Sequence, residues 1–234
     1  MYLSVCVLYT NNDDLIEWRK ALPISKDGKK LQVVALRTEQ TDNVTEPELE
    51  VIGDTELLTG LVWRYNDFDT QFDFSKLRNI ADEYARGNWI LHIDADERLT
   101  TPHGDLWAYL EALEKSEAPA AYVSVYGLLH SVGTSGRSER YISANMRLHR
   151  KAAGLKWAGI CHETLDKSAF DKKVFADTEI MLYHYGYNHD LETMETKAER
   201  NAKLLIREYT REKSKRNWDY LKKTFHFLHT LKNR

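Results

Sequence analysis

The stretch NWILHIDADERL, residues 88–99, is an apolar run that ends in two carboxylates separated by one residue. Its near-continuous apolar character predicts a strand that is covered on both faces. An open α/β sheet binds ligands beyond the carboxyl ends of its strands, so we expect Asp94 and Asp96 at a ligand-binding edge. Alternate residues of an extended segment point the same way, so both carboxylates could share one divalent cation, which could in turn hold a diphosphate. The pattern suits a metal-bound nucleotide sugar.

An Asp-x-Asp pair alone is a common pattern, and this chain contains a second copy at Asp67 and Asp69. That copy lies among polar and aromatic residues and follows no apolar run, so we interpret it as part of a loop. The context therefore favours only Asp94 and Asp96 as ligand-binding residues.

A helix is predicted over residues 73–87, directly before the acidic strand. Ser75 is suited to cap its start, and Gly87 is suited to end it. One helical face carries the apolar side chains, namely Leu77, Ile80, Ala81, Tyr84 and Ala85. The predicted unit is thus a helix that lies on the sheet, a tight turn, a buried strand and an acidic tip.

Three ordered blocks of the sequence carry further motifs: DFSKLRNIADEYARGNWILHIDADERL from residue 73, MRLHRKAAGLKWAGICHETL from residue 146 and YHYGYNHDLETMETKAERNAKLL from residue 183. These blocks resemble the family 2 glycosyltransferases of GT-A fold, in the subgroup that includes the lipopolysaccharide-core and SunS-like enzymes. They match the subgroup's D-F-S-x-x-R-N and D-A-D-E, W-x-G-x-x-H-E, and H-Y-G-Y signatures.

The resemblance implies an α/β/α sandwich with a mostly parallel mixed sheet and an inverting, metal-dependent transfer of a sugar from a nucleotide sugar, with a UDP-sugar favoured. It implies that Arg78, Asn79, Asp94, Asp96 and His162 bind the nucleotide sugar, and Thr10 and Glu39 are our further candidates for this role. Mn²⁺ or Mg²⁺ is the implied cofactor, with Asp94, Asp96 and His184 as its ligands. A backbone-bonded structural histidine is an equal alternative for His184.

Sugar transfer with inversion requires a base that removes the proton of the acceptor hydroxyl. The resemblance assigns that role to Glu163, the last residue of the W-x-G-x-x-H-E block. His162 would flank the sugar pocket, and His92, inside the apolar strand, is expected to be a hydrogen-bonded core residue. Arg147 is expected either to support the acceptor side or to pack against the sheet.

The N-terminal third departs from the subgroup at the second predicted strand. LQVVALRTEQTDNV, residues 31–44, lacks the Asp that contacts the nucleobase in relatives. Thr38 or Glu39 could substitute for it, so the donor is less firmly predicted than the class of reaction.

Length and composition indicate one catalytic domain, residues 1–189, and a short appendage, residues 190–234. The chain has 234 residues, 42% of them apolar, and a net charge of −3. Its two cysteines, Cys6 and Cys161, favour a reducing cytoplasm. Residues 1–10 lack a basic leader and a cleavage site, and no stretch predicts a membrane span.

The appendage is basic, with 12 Lys and Arg against 7 Asp and Glu from Asp190 to Arg234. Helical periodicity predicts two helices, Leu191–Arg211 and Asn217–Leu231. We expect them to pack as a hairpin on the catalytic domain, with a dedicated acceptor platform as the alternative. The positive charge would suit a phosphorylated lipid, an anionic glycan or nucleic acid. The expected partners are a nucleotide-sugar donor and an acceptor glycan, glycolipid, peptide or nucleic acid, with peripheral contact with a membrane left open.

Two other classes of protein remain open on the sequence. Phosphatases of the haloacid dehalogenase type also begin with a strand and Asp-x-Asp, although Arg98 stands where they carry Thr or Val. A non-catalytic module could keep the sugar-nucleotide fold while its basic helices bind a polymer. A thiol protease is disfavoured, because Cys161 and His162 are adjacent and would point to opposite faces of an extended segment.

Overall fold

The computed structural model describes residues 2–9, 12–22, 28–40, 48–50, 58–65, 73–130, 138–168, 170–171, 175–185 and 191–233. Its helices are α1 (Asn12–Lys20), α2 (Phe74–Tyr84), α3 (His103–Lys115), α4 (Leu191–Arg211) and α5 (Lys215–Lys232). Its strands are β1 (Tyr2–Tyr9), β2 (Lys30–Gln40), β3 (Glu48–Glu50), β4 (Leu58–Tyr65), β5 (Trp89–His92), β6 (Glu97–Leu99), β7 (Ala120–His130), β8 (Ser138–Arg150), β9 (Trp157–Ala158), β10 (Thr164–Leu165) and β11 (Ala176–His184).

Nine of the described strands form one mixed sheet in the order β3-β4-β2-β1-β5-β8-β7-β11-β6. The strands β4, β2, β1 and β5 run parallel, and β11 runs parallel to β7. The remaining neighbours are antiparallel, with β8 between β5 and β7. Parallel ladders hold most of the paired residues, and β5 brings the acidic tip to the carboxyl edge of the parallel half.

Helices cover both faces of the sheet, because apolar side chains of its central strand β1 point alternately to one face and to the other. Leu3, Val5 and Val7 of β1 pack on one face, in a core to which α1 and α3 contribute. Cys6 of β1 lies on the other face with Leu77 of α2. This alternation buries both sides of the strand, as expected for a sheet between two helical layers. The predicted α/β/α sandwich is confirmed.

The helix before the acidic strand differs from the prediction at both ends. Asp73, and not Ser75, caps it, because an Asp73 oxygen accepts a hydrogen bond from the backbone N–H of Lys76 at 3.0 Å. The helix ends at Tyr84, before Gly87. Gly87 is needed for close approach, since a Cβ atom there would lie 2.4 Å from the backbone nitrogen of Ser4. The strand β5 ends at His92, one residue earlier than the apolar run suggests.

The C-terminal helices form the predicted hairpin. Helix α4 has the predicted bounds, whereas α5 starts two residues early, because the Ser214 side chain caps it by accepting from Asn217 N–H. The hairpin docks on the rest of the chain through a buried cluster of Cys161, Leu204, Leu205 and Leu221. The division at residue 190 stays a prediction. Within the described residues, no helix has the length and apolar character that a membrane crossing requires.

Candidate active site

The acidic tip of β5 is held by two arginines. Asp94 Oδ1 accepts a hydrogen bond from Arg78 Nη2 at 2.7 Å, and Asp94 Oδ2 accepts one from Arg147 Nη2 at 2.9 Å. Arg78 comes from α2 and Arg147 from β8, so the two flank the strand end. Burial opposes ionisation of Asp94, but both guanidinium charges outweigh it and hold the pKa of this carboxyl well below its usual range.

Arg78 also binds the residue that the sequence nominates as the base. Its Nε donates to Glu163 Oε1 at 2.6 Å, while its guanidinium carbon lies 4.9 Å from the centre of the Trp157 ring. The arginine side chain is only 4% exposed, and that of Glu163 is 12% exposed. One guanidinium thus joins Asp94 and Glu163, which are 69 positions apart in the sequence.

Glu97 completes a group of charged side chains that we name the edge cluster: Arg78, Asp94, Glu97, Arg147 and Glu163. Glu97 Oε2 accepts from the backbone N–H of Asp94 at 2.9 Å, and its Oε1 lies 3.2 Å from Arg147 Nη2. Burial of this carboxyl raises its pKa to about 7, against the opposing charge of Arg147. Glu97 therefore supports the backbone of the acidic tip from inside the protein.

Asp96 lies beside the edge cluster with different partners. Strand β11 pairs with β6 so that His184 stands opposite Glu97, and the backbone N–H of Tyr185 donates to Asp96 O at 2.8 Å. His184 Nε2 consequently lies 3.3 Å from Asp96 Oδ2, and Lys197 Nζ of α4 lies 4.0 Å from the same oxygen. Burial opposes both ionised forms, but their mutual contact lowers the pKa of Asp96 and raises that of His184.

Asp96 and His184 offer the donor types that Mn²⁺ and Mg²⁺ accept, namely a carboxylate oxygen and an imidazole nitrogen. Their 3.3 Å separation is suited to two ligands of one ion. Asp94 fits a direct ligand role less well, since both of its oxygens accept hydrogen bonds from arginines. Asp96 and His184 would therefore suit a divalent cation that leaves other positions for a diphosphate and water.

Asn79 and His162 are placed differently from the edge cluster. The Asn79 amide donates to Trp157 O at 3.0 Å and accepts from Trp157 N–H at 2.9 Å. It therefore holds the second sequence block against α2. His162 adjoins Glu163 and stacks on Tyr220 of α5, with ring centres 4.5 Å apart. Nucleotide-sugar binding by either residue stays a prediction.

The residues predicted to bind the nucleobase lie further along the same edge of the sheet or outside the described residues. Glu39 of β2 forms ion pairs with Arg37 at 3.6 Å and with Arg64 at 3.7 Å. It belongs to β2, so β1 separates it from the strand of Asp94. Thr10 lies outside the described residues, as do the second Asp-x-Asp pair at residues 67–69 and His189.

A second set of polar side chains, the interior cluster, lies beneath the sheet edge: Asp82, His92, His149 and Trp157. His92 Nε2 is 2.6 Å from Asp82 Oδ1, and Trp157 Nε1 donates to Asp82 Oδ2 at 3.2 Å. Burial lowers the pKa of His92 to about 4, despite the neighbouring carboxylate. The expectation that His92 is a hydrogen-bonded core residue is confirmed.

Three residues of the site were not nominated as ligand-binding residues from the sequence. Glu97 is the acid of the D-A-D-E block, and Arg147 opens the R-L-H-R block, so both stood inside recognised motifs. Lys197 stands 101 positions after Asp96, and only the docking of α4 brings the two together. Cys161 is a buried packing residue as predicted, and its burial raises the pKa of its thiol to about 12.

Comparison with known proteins gives distant structural likenesses. No protein-family model and no curated protein matches the sequence. The structure resembles that of S. aureus TarS 1-349, with 14% identity and a TM-score of 0.46 over 86% of this chain and 65% of that one. The same protein in complex with UDP-GlcNAc gives 15% identity and a TM-score of 0.45, over 86% and 66% of the two chains.

A second likeness is to 2-C-methyl-D-erythritol 4-phosphate cytidylyltransferase from Thermus thermophilus, with 13% identity and a TM-score of 0.32 over 65% of this chain and 72% of that one. The chain spans slightly less than two thirds of the S. aureus protein's 1-349 fragment. At these identities the likenesses concern the fold alone, and they carry no residue role over to this chain.

Proposed function

We propose that this chain is an inverting glycosyltransferase that moves a sugar from a nucleotide sugar to an acceptor hydroxyl. The observation that carries the proposal is the bridge made by Arg78, which holds the acidic tip at Asp94 and the candidate base Glu163 side by side. Such a site needs carboxylates that bind the cation of the nucleotide sugar, and a separate carboxylate that takes the proton of the acceptor hydroxyl. Both are present at one edge of the sheet.

Glu163 would accept the proton in the transfer step. The acceptor oxygen forms a bond to the anomeric carbon, and the bond from that carbon to the diphosphate oxygen breaks. Its electron pair leaves with the nucleoside diphosphate, and the acceptor proton passes to the Glu163 carboxylate. Because Arg78 fixes one Glu163 oxygen at 2.6 Å, the carboxylate is already oriented before an acceptor binds.

Asp96 and His184 would hold Mn²⁺ or Mg²⁺, with Asp94 beside them. A divalent cation in this position would compensate the charge of the departing diphosphate. Lys197 adds a positive charge 4.0 Å from Asp96. We favour a UDP-sugar as donor, an acceptor hydroxyl on a glycan, glycolipid, peptide or nucleic acid, and a cytoplasmic location.

The first test is a calorimetric titration with UDP-, GDP-, ADP-, CMP- and dTDP-sugars, each with and without Mn²⁺. We expect one nucleotide to bind, and only with the cation. Asp96→Asn should abolish this binding, whereas Asp105→Asn, a change at an exposed carboxylate of α3, should preserve it. Binding that is equal with and without Mn²⁺, or unchanged in Asp96→Asn, would remove the metal assignment.

The second test separates transfer from binding. Glu163→Gln should keep donor binding and lose transfer, with Glu179→Gln as a control, since Glu179 of β11 instead accepts a hydrogen bond from Tyr109 of α3. Donor hydrolysis can be followed where no acceptor is known. Retained turnover in Glu163→Gln would move the base elsewhere. Donor binding by the unmodified chain with neither hydrolysis nor transfer would instead favour a non-catalytic binding module.

A further inference from the structure

The segment that carries Glu163 is held in an unusual conformation. His162 has a φ of 57°, and among the described residues no other non-glycine residue has a positive φ. A non-glycine residue in this region is strained by about 1–3 kcal/mol, and such strain tends to occur at functional sites. The imidazole stacks nearly parallel to the Tyr220 ring, with an angle of 14° between the planes. It nevertheless remains exposed.

Helix α5 holds this conformation from the other side. Arg216 Nη2 donates to the backbone oxygen of His162 at 2.5 Å. Gly159, with a φ of 98°, lies so close to Arg216 that a Cβ atom would stand 3.2 Å from its Nη1. The loop before Glu163 and the face of α5 are therefore one packed unit.

One face of α5 is both aromatic and cationic. Arg216, Tyr220, Lys223 and Phe227 are spaced by four, three and four residues, which places them on the same side of the helix. The Arg216 guanidinium carbon lies 5.6 Å from the Tyr220 ring centre, and Lys223 Nζ lies 5.7 Å from it. Phe227 is 39% exposed. This face of α5 lies next to the candidate base, because Arg216 contacts His162, the residue before Glu163.

Lys223 differs from its neighbour in its partners. Lys222 Nζ forms an ion pair with Asp219 at 2.9 Å. Among the described residues, no carboxylate lies within ion-pair distance of the Lys223 ammonium group. The helix Lys215–Lys232 holds five Lys and Arg and one Asp, so the helix that carries Lys223 is strongly cationic. An ammonium group in this state is suited to bind an external anion.

We propose that the His162–Tyr220 stack and Lys223 form the acceptor subsite, and that the acceptor is a carbohydrate bearing a phosphate group. The proposal rests on the proposed function, since it places this acceptor against Glu163. Aromatic faces supply apolar contact for a sugar ring, and Lys223 pairs with the phosphate. Arg216 positions His162 by its bond to the backbone and adds to the positive field.

The test measures binding of a probe without any donor, so it does not depend on the transfer reaction. Glucose 6-phosphate, inorganic phosphate and glucose are titrated into the full chain, with binding followed by NMR of the His and Tyr ring signals. We expect glucose 6-phosphate to bind more tightly than the other two and to shift the signals of His162 and Tyr220. Equal binding of phosphate and glucose 6-phosphate, or no binding of either, would overturn the proposal.

Matched variants of adjacent lysines locate the effect. Lys223→Glu should weaken glucose 6-phosphate binding at least tenfold, whereas Lys222→Glu should change it less than twofold. Both variants should keep the wild-type affinity for the nucleotide, whether or not the chain proves to transfer a sugar. Equal weakening by both substitutions would indicate a diffuse charge effect and reject the subsite.

A membrane or nucleic acid is the competing ligand class for this helix. Trp218 and Phe225 are 45% and 47% exposed, on a different side of α5 from Lys223. Vesicles of phosphatidylglycerol and a single-stranded RNA are therefore included as probes. Tight binding to either one, lost equally in Lys222→Glu and Lys223→Glu and with no binding of glucose 6-phosphate, would overturn the proposal in favour of that class.

Discussion

The edge cluster and the interior cluster each take one residue from helix α2, and they differ in the side chains that pair with their carboxylates. Arg78 and Asp82 stand one helical turn apart on α2, and each contributes to one cluster. At the edge, Asp94 is paired with two arginines that stay charged at every pH a protein meets. In the interior, Asp82 has histidine partners, and burial keeps His92 neutral at pH 7.

This difference separates a site from a support. The permanently charged Arg78 holds two carboxylates in place, and the Asp94 side chain is still 31% exposed and open to a ligand. In the interior, the neutral His92 and the Trp157 N–H form hydrogen bonds with the buried Asp82 carboxylate, and His92 is itself fully buried. Substitutions in the edge cluster should therefore reduce both activity and stability, whereas substitutions in the interior cluster should reduce stability alone.

Removing Arg78 should have the largest effect. Arg78→Met leaves Asp94 and Glu163 without their shared cation, so we expect a loss of about 3–5 kcal/mol in the free energy of unfolding, as for a broken buried ion pair, together with loss of transfer. Urea denaturation and a transfer assay measure the two effects. Arg86→Met, at an exposed position just after the same helix, is the control.

Arg78→Lys keeps the folding result interpretable. It retains the charge and loses the forked geometry, so it should restore much of the stability but little of the activity. Full activity in this variant would mean that the bridge between Asp94 and Glu163 is not required.

The two clusters should respond to pH with opposite signs. The pKa of His92 is lowered to about 4, so its contribution to stability is present above about pH 6.5 and is lost as the pH falls toward 4. The pKa of Glu97 is raised to about 7, so its contribution is present below about pH 4.5 and is lost as the pH rises through 7. Each shift corresponds to about 3 kcal/mol over its range.

The measurement is the free energy of unfolding of the wild type, His92→Gln and Glu97→Gln from pH 4 to 8. The stability advantage of the wild type over His92→Gln should grow as the pH rises, and its advantage over Glu97→Gln should shrink. Parallel curves for the two variants would contradict the assigned shifts.

Replacing the interior carboxylate should affect folding alone. Asp82→Asn keeps a hydrogen-bonding side chain but removes the charge that His92 and Trp157 contact. We expect a loss of about 2 kcal/mol in the free energy of unfolding, which lies within the range of about 1.5–3 kcal/mol for a hydrogen bond to a charged group. Because Asp82 belongs to the interior cluster, kcat/KM should stay within about threefold of the wild type, which corresponds to well under 1 kcal/mol. A large loss of kcat/KM in the folded variant would place Asp82 in the active site.

The sequence predicted the fold and the acidic tip because their signals are local. The apolar run before Asp94, the amphipathic helix before it and the bounds of α4 each depend on residues within one or two helical turns. The Asp73 cap and the role of Gly87 were missed, because the first competes with Ser75 and the second depends on Ser4, which is distant in the chain.

Contacts between distant segments were beyond sequence reasoning. The sequence did not indicate that Arg78 would bind Glu163, because the two residues are distant in the chain. It also did not indicate that Lys223 would lie near His162, because that distance depends on how α5 packs on the loop. Charge counting indicated a basic appendage but could not tell Lys222, with its Asp219 partner, from Lys223.

Trp157 provides the smallest and most direct test, because it contacts both clusters. Its ring lies under Arg78, whereas its Nε1 donates to Asp82 at 3.2 Å. Trp157→Phe keeps an aromatic ring and removes the donor, so the free energy of unfolding should fall by about 1.5 kcal/mol, the lower end for a hydrogen bond to a charged group. Donor binding should remain close to wild type, because the ring still supports the arginine. If stability were unchanged and donor affinity fell tenfold, the indole would serve the edge cluster, and the separation of site from support would fail at the residue where the two meet.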